Sequence, residues 1–105
     1  MAKMATREAY GKALADLIVK NEKVIVLDAD LSKSTKTYDA KAVCPQRHFN
    51  VGIAECDMMG IAAGLATCGN IVYASSFAMF ATGRAYEIVR NSIGYTHLNV
   101  KICAT

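Results

Sequence analysis

Glu55 is the residue of this chain whose position best suits chemistry. It lies in the stretch His48–Gly64, where a short apolar run breaks at Gly52 and a helix with acidic first residues begins. In α/β proteins, ligands bind just past the carboxyl ends of strands, beside helix N-termini. The neighbours expected around this carboxyl are apolar: Ile53, Ala54, Met58, Met59 and Ile61. A carboxyl in such surroundings can hold or share a proton near neutral pH, as general acid–base catalysis requires.

A structural role for Glu55 is also open at this level. An acidic residue in the first turn of a helix interacts favourably with the helix dipole, by about 0.3–1 kcal/mol, and Asp57 suits that role as well. Gly60 and Gly64 lie four residues apart on the same helix. They predict a close approach, either of the sheet or of a partner or ligand.

Further candidates follow the neighbouring predicted strands. Asp28 and Asp30 come directly after a continuous apolar run. Phe77 and Phe80 are i, i+3 neighbours at the start of a helix, a pair more typical of a core than of a cofactor platform. Ser32–Thr35 could bind an anion, but the chain has neither a GxxxxGK[ST] nor a GxGxxG motif, so nucleotide binding of the usual kinds is not supported.

Alternating helices and strands must position these residues. Apolar residues at helical spacing predict helices over Thr6–Lys20 (with Thr6 as N-cap), Ala54–Thr67 and Phe77–Ile93. Short apolar runs predict strands over Val24–Leu27, His48–Ile53, Ile71–Ala74 and Asn99–Ala104, and residues 31–42 are expected to form a polar loop. This order predicts an α/β fold, a parallel β-sheet flanked by helices. Because parallel strands end at one edge, Asp28, Asp30, Glu55 and Phe77 are expected to converge there.

The bulk composition fits a single globular domain over residues 1–105. The chain is 53% hydrophobic and 20% charged, and this apolar excess predicts that some surface meets a partner. Its basic residues are dispersed among acidic ones at a net charge of +3, which indicates a solvated surface rather than a nucleic-acid site. Arg84 and Arg90 are expected in surface or interface ion pairs.

The four cysteines and the longest uncharged stretch complete this picture. Cys44, Cys56, Cys68 and Cys103 form no CxxC pair and have no histidine at ligand spacing, which predicts reduced thiols in a cytoplasmic protein without a metal site. Residues 58–81 carry no charge, but the turn at Gly69-Asn70 divides them into a buried helix and a buried strand, so no membrane segment is expected. Because the last predicted strand runs to the end of the chain, we expect a partial domain, incomplete at its C-terminus.

Five segments together resemble the pyrimidine-binding domain of transketolase, in particular the C-terminal subunit of the split transketolases of prokaryotes. They are KMATREAYGKAL, VIVLDADLSKSTKT, FNVGIAECDMMGIAAGLA, SFAMFATGRAYEIVRNSI and LNVKICAT, with near-colinear spacing over nearly the whole chain. The resemblance implies a thiamine-diphosphate-binding fold. It also implies transfer of a two-carbon ketol unit from a ketose phosphate to an aldose phosphate.

The resemblance implies roles for five residues. Glu55 matches the glutamate of a VGIAEQ-like motif, whose carboxyl hydrogen-bonds the aminopyrimidine ring and promotes the tautomer that removes the thiazolium C2 proton. Phe77 and Phe80 match a TFxxF-like motif and would pack on the pyrimidine. Asp30 matches the aspartate of an ADL motif and is expected near the cofactor. Ile53 belongs to the glutamate motif and is expected among the cofactor contacts.

The resemblance also implies a partner. The GDG…N motif that binds the diphosphate and Mg²⁺ is absent from this chain, so the N-terminal transketolase subunit would supply it, within a homodimer or heterotetramer acting on sugar phosphates. A histidine-bearing loop and a GEDG-type segment are absent too, so the chain alone is expected to be inactive. Cys56 stands where glutamine is usual and Ser76 where threonine is usual.

Two other kinds of thiamine-diphosphate enzyme share the VGIAE-like turn, namely 1-deoxyxylulose-5-phosphate synthase and the β subunit of 2-oxoacid dehydrogenases. The segments TREAYG and FATGRAYEIVRNSI favour transketolase. A non-catalytic interaction module that kept the fold is an alternative from another class.

Overall fold

A four-stranded parallel sheet forms the centre of the fold. The computed structural model describes residues 3–105. The strands are β1 (Val24–Asp28), β2 (His48–Asn50), β3 (Ile71–Ser76) and β4 (Val100–Ala104). They lie in the order β2-β1-β3-β4, and every neighbouring pair is parallel. The predicted parallel α/β architecture is therefore confirmed.

Helices cover both faces of this sheet. They are α1 (Thr6–Lys20), α2 (Ser32–Thr35), α3 (Tyr38–Val43), α4 (Glu55–Thr67) and α5 (Tyr86–Ile88). A 3₁₀ turn spans Pro45–Arg47, and π-helical segments span Met79–Arg84 and Val89–Gly94 on either side of α5. Among these helices, none is long and apolar enough to cross a membrane.

The predicted bounds of α1 are confirmed, but four local predictions are wrong. Strand β2 ends at Asn50 rather than at Ile53, because the chain turns at Gly52. Ala5, not Thr6, holds the N-cap position of α1, and no side chain caps that helix. Residues 31–42 contain two short helices rather than a polar loop, because the hydroxyls of Thr35 and Thr37 are buried and hydrogen-bonded. The predicted helix Phe77–Ile93 is interrupted by wide π turns, which include the weak helix formers Gly83 and Gly94.

Strand β1 separates two hydrophobic clusters. Val24 and Val26 point to the cluster that contains Leu14 and Ile18 of α1. The alternate residues of the strand, Ile25 and Leu27, belong to the cluster on the opposite face, with Met58, Met59 and Ala62 of α4. All five residues of β1 are buried, which explains why its sequence is continuously apolar up to Asp28.

Gly11 allows α1 to approach the α2–α3 connection closely. A Cβ atom at this position would lie 2.5 Å from Asp39 Oδ2 and 2.9 Å from the Lys36 carbonyl oxygen. Lys36 itself has a φ of 66°, in the left-handed region. A side chain at position 11 would therefore push apart two elements that cover one face of the sheet.

Candidate functional site

Glu55 lies at the carboxyl edge of the sheet as the first residue of α4. Strand β2 ends at Asn50, and Gly52 turns the chain with a φ of 81°, a conformation that favours glycine. The Ala54 N–H donates to the Gly52 carbonyl over 2.8 Å, and the helix begins at the next residue. Glu55 is only 3% exposed. The turn predicted at Gly52 thus delivers a nearly buried carboxylate to the edge where the strands end.

Arg84 is the partner of this carboxylate. Its Nη1 donates to Glu55 Oε1 over 3.0 Å. The guanidinium carbon lies 5.0 Å from the centroid of the Phe80 ring, within the range of a cation–π interaction. Because the Arg84 side chain is 56% exposed, the pair opens directly to solvent.

Phe77 and Phe80 form an aromatic surface beside this ion pair. Their rings are stacked, with centroids 6.3 Å apart and planes inclined by 28°. Both side chains are only partly buried. The structure therefore brings three of the residues singled out in the sequence, Glu55, Phe77 and Phe80, to one place, linked by Arg84.

The surroundings of Glu55 differ from those expected. Met58 and Met59 are fully buried, but they belong to the core under α4. Ile53 is 77% exposed and Ile61 is 37% exposed, so neither encloses the carboxyl. The expected wholly apolar pocket is therefore wrong, because the Arg84 guanidinium donates a hydrogen bond to the carboxylate.

Asp30 lies in the loop that follows β1 and is exposed. Its φ of 61° is left-handed, which is uncommon for a residue with a side chain. The Asp30 N–H donates to Asn50 Oδ1 over 2.9 Å, and Asn50 Nδ2 donates to Asp30 Oδ1 over 3.1 Å. Asp30 is thereby joined to the end of β2, next to the turn that leads to Glu55.

Asp28 does not take part in this edge, although the sequence placed it there. It is fully buried, and its Oδ2 accepts hydrogen bonds from Ser32 (2.7 Å), Thr37 (2.9 Å) and His48 Nε2 (2.6 Å). Burial opposes its ionisation, but the hydrogen bonds from His48, Ser32 and Thr37 outweigh burial, so the pKa of Asp28 lies below its ordinary value. Asp28 therefore holds α2 and α3 against the sheet, and it explains why residues 31–42 are helical.

A shallow cavity of about 320 Å³ opens beside Asp30. Its walls carry two lysines, one carboxylate, three uncharged polar side chains, one aliphatic side chain and one aromatic ring: Asp30, Leu31, Ser32, Lys33, Ser34, Tyr38, Lys41 and Asn50. Two lysines and two serine hydroxyls can neutralise and hydrogen-bond an anionic group. Sequence reasoning noted Ser32–Thr35 as a possible anion-binding segment but found no motif to support it.

Gly60 and Gly64 face outward on α4. A Cβ atom at either position would meet nothing within 4 Å. The contact between this helix and the sheet therefore does not require these glycines. The sequence left two explanations for these glycines, a close contact with the sheet and a close approach by a partner or ligand. Only the second is compatible with the structure.

The described residues hold no group of three histidine, cysteine or acidic side chains placed to bind a metal ion. Cys56, next to Glu55, is exposed, and its thiol donates to the Arg84 carbonyl over 3.4 Å. Ser76, at the end of β3 before Phe77, is buried with an Oγ that has no partner. Both positions where the sequence departs from the usual family residue thus border the aromatic pair or its ion pair.

Sequence reasoning missed one residue of this site and the partner of another. Arg84 forms a surface ion pair, as predicted, but its partner Glu55 was not predicted. The place of Arg84 on the inner stripe of the predicted helix, with Phe77, Phe80 and Ala81, was a signal. Asn50 was not singled out. Its position two residues before Gly52 is typical of an Asx turn, in which the side chain accepts a hydrogen bond from the N–H two residues on, and Gly52 N does lie 2.9 Å from Asn50 Oδ1.

The Glu55 carboxylate, a hydrogen-bond acceptor, and the Phe77–Phe80 pair fit an aminopyrimidine ring. The Arg84 guanidinium is planar, lies over Phe80 and donates an N–H to Glu55. A planar nitrogen heterocycle with N–H donors needs the same two things, an aromatic surface and a carboxylate at its edge. The chain thus already binds a group of this kind through its own side chain.

Comparisons with known proteins point to one family. Residues 2–105 match the family described as transketolase, pyrimidine binding domain. A protein of Methanocaldococcus jannaschii described as a transketolase C-terminal section is 58% identical over 94% of this chain and 31% of its own length. A 6-deoxy-6-sulfo-D-fructose transketolase subunit of Clostridium sp. strain MSTE9 is 38% identical over 91% of this chain and 30% of its own length.

A solved structure agrees with these relatives. A chain described as a split gene transketolase in an inactive β4 tetramer superimposes with a TM-score of 0.89 at 63% identity, over 98% of this chain and 34% of that chain. This chain spans only about a third of the length of the relatives named above. With the match covering residues 2–105, the chain belongs to the transketolase pyrimidine-binding domain family.

Proposed function

We propose that this chain supplies the pyrimidine-binding wall of a thiamine-diphosphate-dependent transketolase, which transfers a two-carbon ketol unit from a ketose phosphate to an aldose phosphate. The observation that carries the proposal is the buried Glu55 carboxylate beside the stacked Phe77–Phe80 pair. The 63% identical split-gene transketolase supports it. So does the transketolase C-terminal section of M. jannaschii.

Five residues would hold the cofactor. When bound, thiamine diphosphate supplies the carbon nucleophile and the electron sink for ketol transfer. Glu55 would hydrogen-bond the edge of the aminopyrimidine ring and hold a proton there. Phe77 and Phe80 pack on the face of that ring. Asp30 and the exposed Ile53 contact the cofactor from the two neighbouring loops.

Arg84 must leave Glu55 for this role to be possible. Its guanidinium donates to Glu55 Oε1, so it occupies the place where the ring would hydrogen-bond the carboxyl. The Arg84 side chain is 56% exposed, so a move toward solvent would break only its contacts with Glu55 and Phe80 among the described residues. When the aminopyrimidine ring displaces the Arg84 guanidinium, one planar N–H donor replaces another on the face of Phe80.

A partner subunit completes the site in this proposal. An N-terminal transketolase subunit would bind the diphosphate and Mg²⁺, and the assembly would be a homodimer or a heterotetramer. The outward-facing Gly60 and Gly64 of α4 leave room for a close approach by that subunit. We also propose a cytoplasmic location, since Cys44, Cys56, Cys68 and Cys103 are all unpaired.

The sugar substrate would carry an anionic group. The cavity beside Asp30 presents Lys33 and Lys41 with the hydroxyls of Ser32 and Ser34. These groups suit a phosphate, and they would suit a sulfonate equally well. One relative is a transketolase subunit for a sulfo sugar, so the substrate assay must include both classes.

The test is an assay of the chain with and without an N-terminal transketolase subunit, in the presence of thiamine diphosphate and Mg²⁺. With both subunits we expect ketol transfer to ribose 5-phosphate from xylulose 5-phosphate or from 6-deoxy-6-sulfo-D-fructose, the donors of the two classes. We expect no transfer with this chain alone. Transfer by the chain alone would contradict the divided site. Pyruvate decarboxylation without ketol transfer would instead favour a 2-oxoacid dehydrogenase or 1-deoxyxylulose-5-phosphate synthase type of enzyme, and inactivity with every donor would favour an interaction module.

A further inference from the structure

We propose that Asn50 is a positioning residue that sets Asp30 and Glu55 relative to one another. The inference rests on the proposed function only in that it takes both carboxyl groups to face the cofactor. The hydrogen bonds themselves are independent of that role. Asn50 belongs to neither the glutamate motif nor the ADL motif by which the site was first identified.

Three hydrogen bonds converge on this one side chain. Asn50 Oδ1 accepts from the Asp30 N–H and from the Gly52 N–H, each over 2.9 Å. Asn50 Nδ2 donates to Asp30 Oδ1 over 3.1 Å. The amide thus uses its acceptor for two backbone groups and its donor for a carboxylate.

Both backbone groups belong to residues in an unusual conformation. Asp30 has a φ of 61° and Gly52 a φ of 81°. For Asp30 the left-handed region costs about 1 kcal/mol or more, and such a conformation persists only when its surroundings hold it. Asn50 provides that hold for two loops at once, the one after β1 and the one after β2.

The position of Asn50 is itself fixed by the sheet. Asn50 is the last residue of β2 and lies opposite Asp28, the last residue of β1. The next N–H, that of Val51, donates to the Asp28 carbonyl oxygen over 3.0 Å. The side chain therefore starts from a rigid point between the two loops that it joins.

The Gly52 turn carries this restraint to Glu55. Only Ile53 and Ala54 separate Gly52 from the first residue of α4, and the Gly52 carbonyl accepts from the Ala54 N–H. Fixing Gly52 consequently fixes where α4 begins. Since small displacements of a reacting group can lower a rate about 10²-fold, a loose turn here would matter for function.

The experiment compares Asn50→Ala and Asn50→Asp with Asn91→Ala, an exposed asparagine of the last π-helical segment. We call the three hydrogen bonds of the Asn50 side chain the Asn50 clamp. Amide hydrogen exchange of Asp30 and Gly52, measured by NMR on the chain without cofactor, reports whether the clamp is formed. Thiamine diphosphate affinity and kcat, measured with the N-terminal subunit, report whether the clamp affects cofactor binding and catalysis.

We expect Asn50→Ala to speed exchange at both amides about tenfold, the equivalent of one lost hydrogen bond, and to weaken thiamine diphosphate binding at least about tenfold, while Asn91→Ala changes neither. Asn50→Asp should keep the protection of Gly52 but lose that of Asp30, because two carboxylates then face each other. The double variant Asp30→Asn/Asn50→Asp restores a donor and an acceptor in exchanged places, so it should recover the protection of both amides.

Unchanged exchange at Asp30 and Gly52 in Asn50→Ala would overturn the clamp. Faster exchange with wild-type cofactor affinity and wild-type kcat would overturn its positioning role. A wild-type complex that binds no thiamine diphosphate would contradict the proposed function instead, and the exchange data would still decide whether Asn50 joins the two loops.

Discussion

Replacing Asp28 with asparagine should destabilise the chain more than any other removal of a single negative charge. The Asp28 side chain is fully buried and accepts hydrogen bonds from Ser32, Thr37 and His48. Since an ionised carboxylate can only accept, the His48 ring nitrogen must donate. Asp28→Asn keeps the shape of the side chain and removes its charge, so it isolates the electrostatic part of this network.

Two effects set the size of the loss. Hydrogen bonds to a charged group contribute about 1.5–3 kcal/mol and neutral ones about 1 kcal/mol, so each of the three bonds weakens. The new amide nitrogen would also occupy the place of Oδ1, which is buried without a partner, and an unsatisfied buried donor costs about 1–3 kcal/mol. Because bonds within one network do not add, we expect a total of about 3 kcal/mol near pH 7.

The loss should depend on pH in a defined direction. The pKa of Asp28 is lowered in the folded chain, so its contribution is fully present above the unfolded pKa of about 3.9 and is lost as pH falls through the folded value. The difference between wild type and Asp28→Asn should therefore be largest between about pH 5 and 7. It should narrow below about pH 4.

Urea denaturation of both proteins across this pH range measures the effect. Asp16→Asn is the matched control, because Asp16 is an exposed acid paired with Lys20 over 2.8 Å, and loss of such a pair costs about 0.3–0.5 kcal/mol. A loss for Asp28→Asn as small as that of the control, or a loss that does not shrink in acid, would refute a charged hydrogen-bond network at this position.

Two further pairs of substitutions test the packing and the site. Gly11→Ala should lower the free energy of unfolding by about 1–3 kcal/mol because its Cβ would overlap its neighbours, whereas Gly60→Ala, which meets open space, should raise it by about 0.5–1 kcal/mol in urea denaturation. A Gly11→Ala variant more stable than Gly60→Ala would contradict the close approach of α1 to the α2–α3 connection. Arg84→Gln should cost about 1 kcal/mol because the buried Glu55 loses its cation, and Arg90→Gln, from an exposed pair, should change stability by less than about 0.5 kcal/mol in the same assay. Equal effects of the two arginine variants would show that the Glu55 pair adds no stability.

The elements with a regular hydrophobic pattern could be predicted from the sequence. Helix α1 has the predicted bounds because its apolar stripe packs on one face of the sheet, with Leu14 and Ile18 buried. Strand β1 is buried on both faces, and its continuous apolar run showed this. The position of Glu55 followed from the break at Gly52, since a strand that stops before a helix leaves the first helical residue at the sheet edge.

Polar residues that are buried by hydrogen bonding were not predictable from that pattern. Thr35 and Thr37 are fully buried, and their hydroxyls bond to each other over 3.0 Å while Thr37 also donates to Asp28. A hydroxyl-rich segment looks solvated in a sequence when its acceptor lies on a strand nine residues away. The helices α2 and α3 were missed for this reason.

The partner of Glu55 was hidden by distance along the chain. Arg84 lies 29 residues from Glu55, and their pairing depends on how two helical segments meet at the edge of the sheet. The hydrogen bond from the Gly52 N–H to Asn50 could be predicted from the sequence, because the two residues lie only two positions apart. The rest of the Asn50 clamp, to Asp30, spans 20 residues and required the parallel pairing of β1 with β2.

The central claim, that Glu55 promotes deprotonation of the cofactor, is tested most directly by hydrogen–deuterium exchange at thiazolium C2. The measurement uses thiamine diphosphate bound to the complex of this chain with the N-terminal subunit. Glu55→Gln keeps the size of the side chain, and Asp57→Asn, at an exposed position in the same helical turn, serves as the control. We predict exchange about 10²–10⁴-fold slower in Glu55→Gln and unchanged in Asp57→Asn. Exchange in Glu55→Gln as fast as in the wild type would contradict the claim.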